Sequence, residues 1–351
     1  MPLNEQFELC KTKASQGDVI AQITLGTMYY NGSGVEQDYK KAIKWYKIGV
    51  NQGNAQAQYS LGLMYELGLG CDKDYKEALR LYKASAEQGD AKAQFRMGYM
   101  YLNGLGIDKD YKEALKWCKI SAVPRSSEDK GNAESQNILG HMYHTGLGVD
   151  QDYKEATKWY KVSADQGIAH SQNALGTMYF YGSGVEQDYM KAIHLFEALI
   201  DCREFSTDQT YSTTLFNLGY MYHKGLGVPM DKDKAQKLYK ESADNNNPYA
   251  QKWLGQLCQE KGDFLEAYKW FIKALENGHT EAKNEIAHLL LDTTGAIVIL
   301  KELIGENAKM KQEIEQLRED NVHLSYMPSG AFDAYASFAN SSGAKKRRMS
   351  V

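Results

Sequence analysis

Two stretches of this sequence hold residue types at spacings that could do chemistry. The first is NGSGVEQDYK, residues 31–40, where two glycines and a short turn lead into an acidic residue able to open a helix. A glycine-rich loop feeding a helix N-terminus offers backbone N–H groups and a helix dipole to a phosphate. The second is the pair His141 and His144, one helical turn apart. Two imidazoles so placed could contribute to a metal site, or to the active site of a hydrolase, if further ligands or an acidic or thiol partner converged on them. The five cysteines, Cys10, Cys71, Cys118, Cys202 and Cys258, are scattered, odd in number and without CxxC spacing. They read as buried free thiols in a reducing compartment and not as a disulfide or zinc framework.

The phosphate reading fails because the stretch recurs. GSGVEQDY stands at residue 32 and again at 182, with GLGCDKDY at 68, GLGIDKDY at 104, GLGVDQDY at 146 and GLGVPMDK at 225. Six residues before each stands another glycine: Gly26, Gly62, Gly98, Gly140, Gly176 and Gly219, followed by Gly255 in a seventh unit with a shortened loop. The spacings are 36, 36, 42, 36, 43 and 36 residues, so the period is 36 with two insertions, PRSSED near 124–129 and the region around DCREFSTDQTY. A phosphate site is needed once, not six times, and neither the lysine nor the third glycine of a nucleotide fingerprint follows.

Each unit reads as two helices. In AQAQYSLGLMYELG (55–68), Ala57, Leu61 and Tyr65 fall at helical spacing. The central glycine costs about 1 kcal/mol of helix propensity against alanine, so close approach of a neighbouring helix must offset it. In DYKEALRLYKASAEQG (74–89), Asp74 fits the N-cap, Glu77 completes a capping box and Gly89 ends the helix. Asp110 with Glu113, and Asp152 with Glu155, repeat the box. The loop glycines therefore end the first helix and allow the reversal, Val35 packs inward and Asp38 caps the second helix. HTEAKNEIAHLL closes the series as an eighth half-unit.

Composition agrees with an all-α repeat array. The chain has 351 residues, 43% hydrophobic and 25% charged, with only five prolines and 25 tyrosines. The net charge of −4 gives no global field for nucleic acid. MPLNEQFELCKTK lacks the apolar core of a signal peptide, and no run of 18 apolar residues occurs, so neither secretion nor membrane insertion is expected.

The unit A…LG..Y..G.GV..D..KA..WY..A...G resembles the Sel-one-like repeat family, a relative of the tetratricopeptide repeats. The likeness is carried by Leu25, Gly26, Tyr29, Gly32, Gly34, Val35, Asp38, Ala42, Trp45, Tyr46 and Gly53 and by their counterparts in later units. Cys71 stands where the pattern has valine, Cys118 stands for the second aromatic of the second helix, and the last unit is degenerate. The resemblance implies a right-handed α-α superhelical solenoid of about seven repeats that holds other proteins in a concave groove, as a scaffold or adaptor, with no cofactor. Secreted relatives with one disulfide per repeat are a branch this chain does not fit. Residues 1–17 align with a second helix lacking its first and are expected to cap a solenoid over 18–291.

By that analogy the first helix of each pair lines the groove, exposing positions one turn either side of the central glycine. These are Ile23, Thr27 and Tyr30; Tyr59, Leu63 and Glu66; Phe95, Tyr99 and Leu102; Asn137, His141 and His144; Asn173, Thr177 and Phe180; Phe216, Tyr220 and His223; and Gln256 and Gln259. The expected anchors for a protein or peptide are the rings Tyr30, Tyr59, Phe95, Tyr99, His141, His144, Phe180, Phe216, Tyr220 and His223. The alternative is that several of these rings complete packing between repeats. The competing function is a hydrolase-like enzyme with its site near His141 and His144. No metal is expected, and few lysines or arginines face the groove to take an acidic tail or nucleic acid.

Past residue 295 the period changes to seven. Leu303, Met310, Leu317 and Leu324 fall at d; Leu300, Asn307, Ile314 and Asn321 fall at a, with asparagine able to set a two-stranded register. A coiled-coil helix over 296–325 could form a parallel homodimer, fold back on the solenoid or meet another helical partner. Residues 326–351 are expected to be disordered. Their end, KKRRMSV, resembles a basophilic-kinase site with Ser350 as acceptor and, through Lys345–Arg348, a short nuclear-import signal; the plain alternative is a solvated terminus. The expected location is cytoplasmic, or nuclear if that signal is read.

Overall fold

The computed structural model describes residues 2–201 and 209–291. The heptad segment, the tail with Ser350, and Cys202 lie outside the described residues. Within them the chain forms sixteen α-helices and no strand. A single helix, α1 (Leu3–Ser15), precedes the repeats. The first helices of the seven units are α2 (Val19–Asn31), α4 (Ala55–Leu67), α6 (Ala91–Asn103), α8 (Ala133–Thr145), α10 (Ala169–Tyr181), α12 (Gln209–Lys224) and α14 (Pro248–Glu260). The second helices are α3 (Tyr39–Asn51), α5 (Tyr75–Glu87), α7 (Tyr111–Ala122), α9 (Tyr153–Ala164), α11 (Tyr189–Asp201), α13 (Lys232–Asp244) and α15 (Phe264–Glu276). The half-unit is α16 (Ala282–Leu291). The helices fall into two compact units, one from Met1 to Asp188 and one from Tyr189 onward.

Short polar residues start most of the helices and glycines end most of the first helices; α1 and α10 start at Pro2 and Ile168 without a side-chain cap, and α14 ends at Lys261. In the first compact unit, Asp18, Asn54, Asp90 and Asn132 accept from the backbone N–H three residues on. Gly32, Gly68, Gly104 and Gly146 close the helices in the left-handed conformation. The side chains of Asp38, Asp74, Asp110 and Asp152 then cap the second helices. The reciprocal half of the expected capping box is not formed. The Asp74 N–H donates instead to the Tyr65 carbonyl at 2.9 Å, and those of Asp110 and Asp152 donate to Tyr101 and Tyr143 at 3.1 and 2.9 Å. Glu77, Glu113 and Glu155 are thereby released to pair one turn on with Arg80, Lys116 and Lys158, at 2.7, 3.0 and 2.8 Å.

The two helices of a unit are antiparallel: the hydroxyls of Ser85, Ser121 and Ser163 near the end of the second helix each donate to the first carbonyl of the first helix, Ala55, Ala91 and Ala133, at 2.8 Å. Between them the central glycine serves as a socket for a ring. A Cβ on Gly62 would stand 2.9 Å from Tyr82 Cε1, and one on Gly140 would stand 2.6 Å from Tyr160 Cδ1. In the second compact unit Gly219 receives Tyr239 at 3.0 Å. In the third repeat the thiol of Cys118 takes the ring's place against Gly98; burial pushes its pKa up to about 12.

Successive repeats meet through the loops and through buried amides. The second loop glycine lies on the start of the preceding second helix: a Cβ on Gly70 would be 2.7 Å from Tyr39 Cβ, and one on Gly106 would be 2.7 Å from the Tyr75 carbonyl. Gly34 lies in the same way on Leu3 of α1. Gln22, Gln94 and Gln136 donate to the Ala14, Ala86 and Ala122 carbonyls of the helix before, at 3.2, 3.0 and 3.0 Å. Gln52, Gln88 and Gln166 in turn donate to Gln22, Gln58 and Gln136 at 2.8, 2.7 and 2.7 Å. Where the first insertion puts Pro124 at this position, Arg125 takes over, donating to Gln94 Oε1 at 2.5 Å and to the Gly89 carbonyl.

The contribution of the loop contact can be isolated by comparing two glycines of matched backbone. Gly53 and Gly70 have φ of +75° and +72°, but a Cβ on Gly53 meets nothing within 4 Å. Gly53→Ala should cost about 1 kcal/mol of stability, from left-handed strain alone. Gly70→Ala should cost about 3 kcal/mol, because the methyl also collides with Tyr39. Urea denaturation of the two variants checks this; equal losses would show that Gly70 serves the turn alone.

Candidate partner-binding surface

Nine of the ten rings expected on the first-helix face are half-buried, and His141 is exposed. Several of them rest on aromatics of the second helices, and others on rings of the first helices. Tyr59 lies 5.8 Å from the Tyr82 ring, Tyr30 5.7 Å from Tyr39, and His144 5.2 and 6.4 Å from Tyr153 and Tyr160. Phe95 and Tyr99 pair at 6.1 Å, and Phe180 meets Tyr181 at 4.7 Å. In the second compact unit, Phe216 is 5.7 Å from Tyr239, Tyr220 is 6.3 Å from Trp253, and His223 is 5.0 Å from Trp253.

Two members of the expected face are buried. Ile23 enters the core, where the absent side chain of Gly49 leaves room: a Cβ there would stand 3.3 Å from Ile23 Cγ1. Glu66 is the only buried carboxylate among the described residues. Its oxygens accept from the Tyr82 hydroxyl at 2.5 Å and from Arg96 Nη1 at 3.2 Å. Burial and the Glu66 carboxylate raise the Tyr82 pKa.

Sequence reasoning missed the position two residues before the central glycine. It holds Arg96 in the third unit and Trp253 in the seventh, and both reach back onto the preceding unit. Arg96 meets Glu66, while Trp253 stacks on Tyr239 at 5.9 Å and 12°. The signal was present as two large residues at a position that other units fill with Thr24, Ser60, Ile138, Ala174 and Asn217. In the second compact unit a cavity of about 860 Å³ opens beside Trp253, His223, Lys224, Gln256 and Gln259. Lys224 Nζ lies 5.6 Å from the Trp253 ring centroid and 6.0 Å from that of Tyr220.

The His141–His144 pair does not gather a catalytic set. His144 Nδ1 is buried with no hydrogen-bond partner, and neither imidazole bonds a carboxylate or a thiol among the described residues. No cluster of three His, Cys, Asp or Glu side chains suited to a metal occurs among them. The surrounding protein, and then the neighbouring His144, lower the His141 pKa below its ordinary 6.5.

Seven helix pairs joined by glycine loops, with rings set along the first helices, define an all-α repeat protein of the tetratricopeptide-like, α-solenoid class. The Sel1 repeat profile matches residues 19–54, 55–90, 91–122, 133–168, 169–202, 213–247 and 248–279, and the chain belongs to the Sel1 repeat family. Proteins of this family are typically interaction scaffolds and generally non-catalytic. The chain is similar to a protective antigen of uropathogenic Escherichia coli with an SLR fold, at 30% identity and a TM-score of 0.71 over 87% of this chain and 68% of that one. It is also similar to a Sel1 repeat protein from Oxalobacter formigenes, at 30% identity and a TM-score of 0.58 over 68% of this chain and 91% of that one. No curated protein matches the sequence. No helix among the described residues is long and apolar enough to cross a membrane.

The lowered His141 pKa has a defined sign. Between 6.5 and the folded value the unfolded chain binds more protons, so this residue's contribution to stability falls as pH drops through that window. A two-dimensional NMR titration should place the His141 midpoint below 6.5, and His141→Gln should remove that part of the acid loss of stability. A midpoint at or above the ordinary value would contradict the environment described.

Proposed function

We propose that the chain is a non-catalytic scaffold that binds a protein or peptide partner along the first-helix face of its repeats. The observation that carries this reading is the recurrence of half-buried rings at fixed offsets from the central glycines, with identities that change from unit to unit. An amphipathic ring held on one side by the fold and wet on the other is the usual anchor of a protein interface. No cofactor enters this reading.

The face can be tested against the opposite side of the same repeat. Phe95→Ala with Tyr99→Ala should weaken a cross-linked partner's binding about tenfold or more, on the scale of aromatic hot spots. Lys116→Ala, on the exposed side of α7, should leave it unchanged, with binding compared at a temperature where all three proteins are folded. Equal binding by all three proteins would remove the face from the account.

We further infer that the heptad segment over 296–325 joins two copies in parallel. The support is its a and d pattern, with Asn307 and Asn321 at a and the pairs Glu306–Lys311 and Glu313–Arg318 placed to meet across the dimer. Two faces on one dimer would raise avidity for a repeated client. Sedimentation of the intact chain should give a dimer, and truncation after residue 295 a monomer. An intact chain that stays monomeric at tens of micromolar would end the dimer reading and leave the scaffold reading intact.

A further inference from the structure

In the first compact unit the second helices carry charge that the first helices lack. α3, α5, α7 and α9 hold thirteen lysines and arginines against four glutamates, whereas α2, α4, α6, α8 and α10 hold two cations and two carboxylates. The cations fall in rows. Six residues after the capping aspartates stand Lys44, Arg80, Lys116 and Lys158, all exposed. Nine residues after them stand Lys47, Lys83, Lys119 and Lys161, also exposed. At about 100° per residue the two rows share one side of the helix, roughly 9 and 14 Å along it from the cap. Glu77, Glu113 and Glu155 pair with Arg80, Lys116 and Lys158, and Glu87 stands 4.0 Å from Lys83. Lys44, Lys47, Lys119 and Lys161 form no ion pair among the described residues.

The fold does not require this surplus. Like charges one turn apart on a helix repel, and each of the four helices sets its row cations at that spacing. In the second compact unit the same repeat accepts Met190 and Asp233 two residues after the cap, where the first has Lys40, Lys76, Lys112 and Lys154. It also accepts His194 and Glu197 at the two row positions of α11; α13 keeps Lys237 and Lys240, the latter paired with Asp244 at 2.8 Å. Beside the second row lies an aliphatic one: Ile48, Ile120 and Val162 are 38, 43 and 42% exposed. A nucleic-acid backbone has no use for aliphatic side chains between its lysines. A polypeptide interface is built on Trp, Tyr and Arg anchors, but Trp45, Trp117 and Trp159 are half-buried against the core. The one arginine of the rows is held by both oxygens of Glu77, at 2.7 and 2.9 Å. Ammonium groups on flexible stems, with aliphatic side chains between them, fit a surface that is diffusely anionic and apolar just beneath its charge.

We propose that the exposed side of α3, α5, α7 and α9 is a peripheral docking surface for an anionic lipid bilayer. The unpaired lysines meet the headgroup charge, and Ile48, Ile120 and Val162 enter the boundary between headgroups and acyl chains. No helix crosses the membrane in this arrangement. It goes beyond the scaffold reading and does not depend on it, because it uses the second helices and leaves the first-helix face to a partner.

The test sediments the full chain with vesicles of phosphatidylcholine alone or of phosphatidylcholine mixed with phosphatidylserine. The protein should travel with the mixed vesicles only and be released as salt is raised to about 0.5 M. Lys44→Gln with Lys47→Gln and Lys161→Gln should weaken that binding about a hundredfold, at roughly fivefold per lysine. Lys232→Gln with Lys237→Gln and Lys269→Gln removes the same charge from exposed positions of the second compact unit and should change it less than about twofold. Ile120→Ser with Val162→Ser should weaken it about threefold or more. These side chains are exposed, so the variants keep the fold, which circular dichroism checks. Absence from the mixed vesicles, equal loss in the two triple variants, or release by an equal charge of duplex DNA or polyglutamate would overturn the proposal. None of these outcomes bears on partner binding by the first helices.

Discussion

The structure depends on helices lying too close for a methyl group. Gly26, Gly62, Gly140, Gly219 and Gly255 accept a ring, and Gly98 a thiol, from the second helix of their own units. The second loop glycine accepts the first turn of the second helix before it. Close-packed interiors tolerate neither a void nor an extra methylene at such points. The two contacts therefore set both the separation within a pair and the step from one pair to the next. Glycine's penalty in a helix, about 1 kcal/mol against alanine, is offset by the buried ring it admits. Tyr82, seated on Gly62, is wholly buried.

That constraint divides the residues of a repeat by role. The glycines, the capping aspartates and most of the first-helix glutamines recur because each performs the same local task from unit to unit. The amide relay shows how strict one task is: where Pro124 interrupts it, Arg125 from the insertion restores a donor to Gln94. The positions around the central glycine on the outer side of the first helix have no such fixed task. They carry Tyr30 and Thr27 in one unit, Glu66 and Leu63 in the next, and His144 and His141 in another. A stack in which each repeat touches only its neighbours can vary this face without disturbing its core, so recognition is written there.

Two charged residues depart from that division. Glu66 and Arg96 belong to adjacent repeats, and their pairing spans the boundary between them on the face itself. Trp253 makes the apolar equivalent of that span in the second compact unit, stacking on Tyr239 across one repeat boundary. The first-helix face is thus continuous across these two repeat boundaries, and its chemistry there is set by neighbouring units together.

The period, the helix pairs and their ends were legible in the sequence because they are local: a turn needs a glycine, a helix start needs a short polar side chain, and both signals return every 36 residues. The glycine loops could be separated from a phosphate cradle on repetition alone. Tertiary packing decided what each outward position meets. Ile23 looks like a face residue until Gly49 opens a hole for it, and Glu66 looks solvated until Tyr82 and Arg96 close over it. The capping box failed for the same reason, since the Asp74 N–H had already been taken by a carbonyl of the preceding helix. Helical periodicity tells which residues share a side of one helix. Which side chains become partners depends on the distance and angle of the next helix, and that is settled only when the repeats stack.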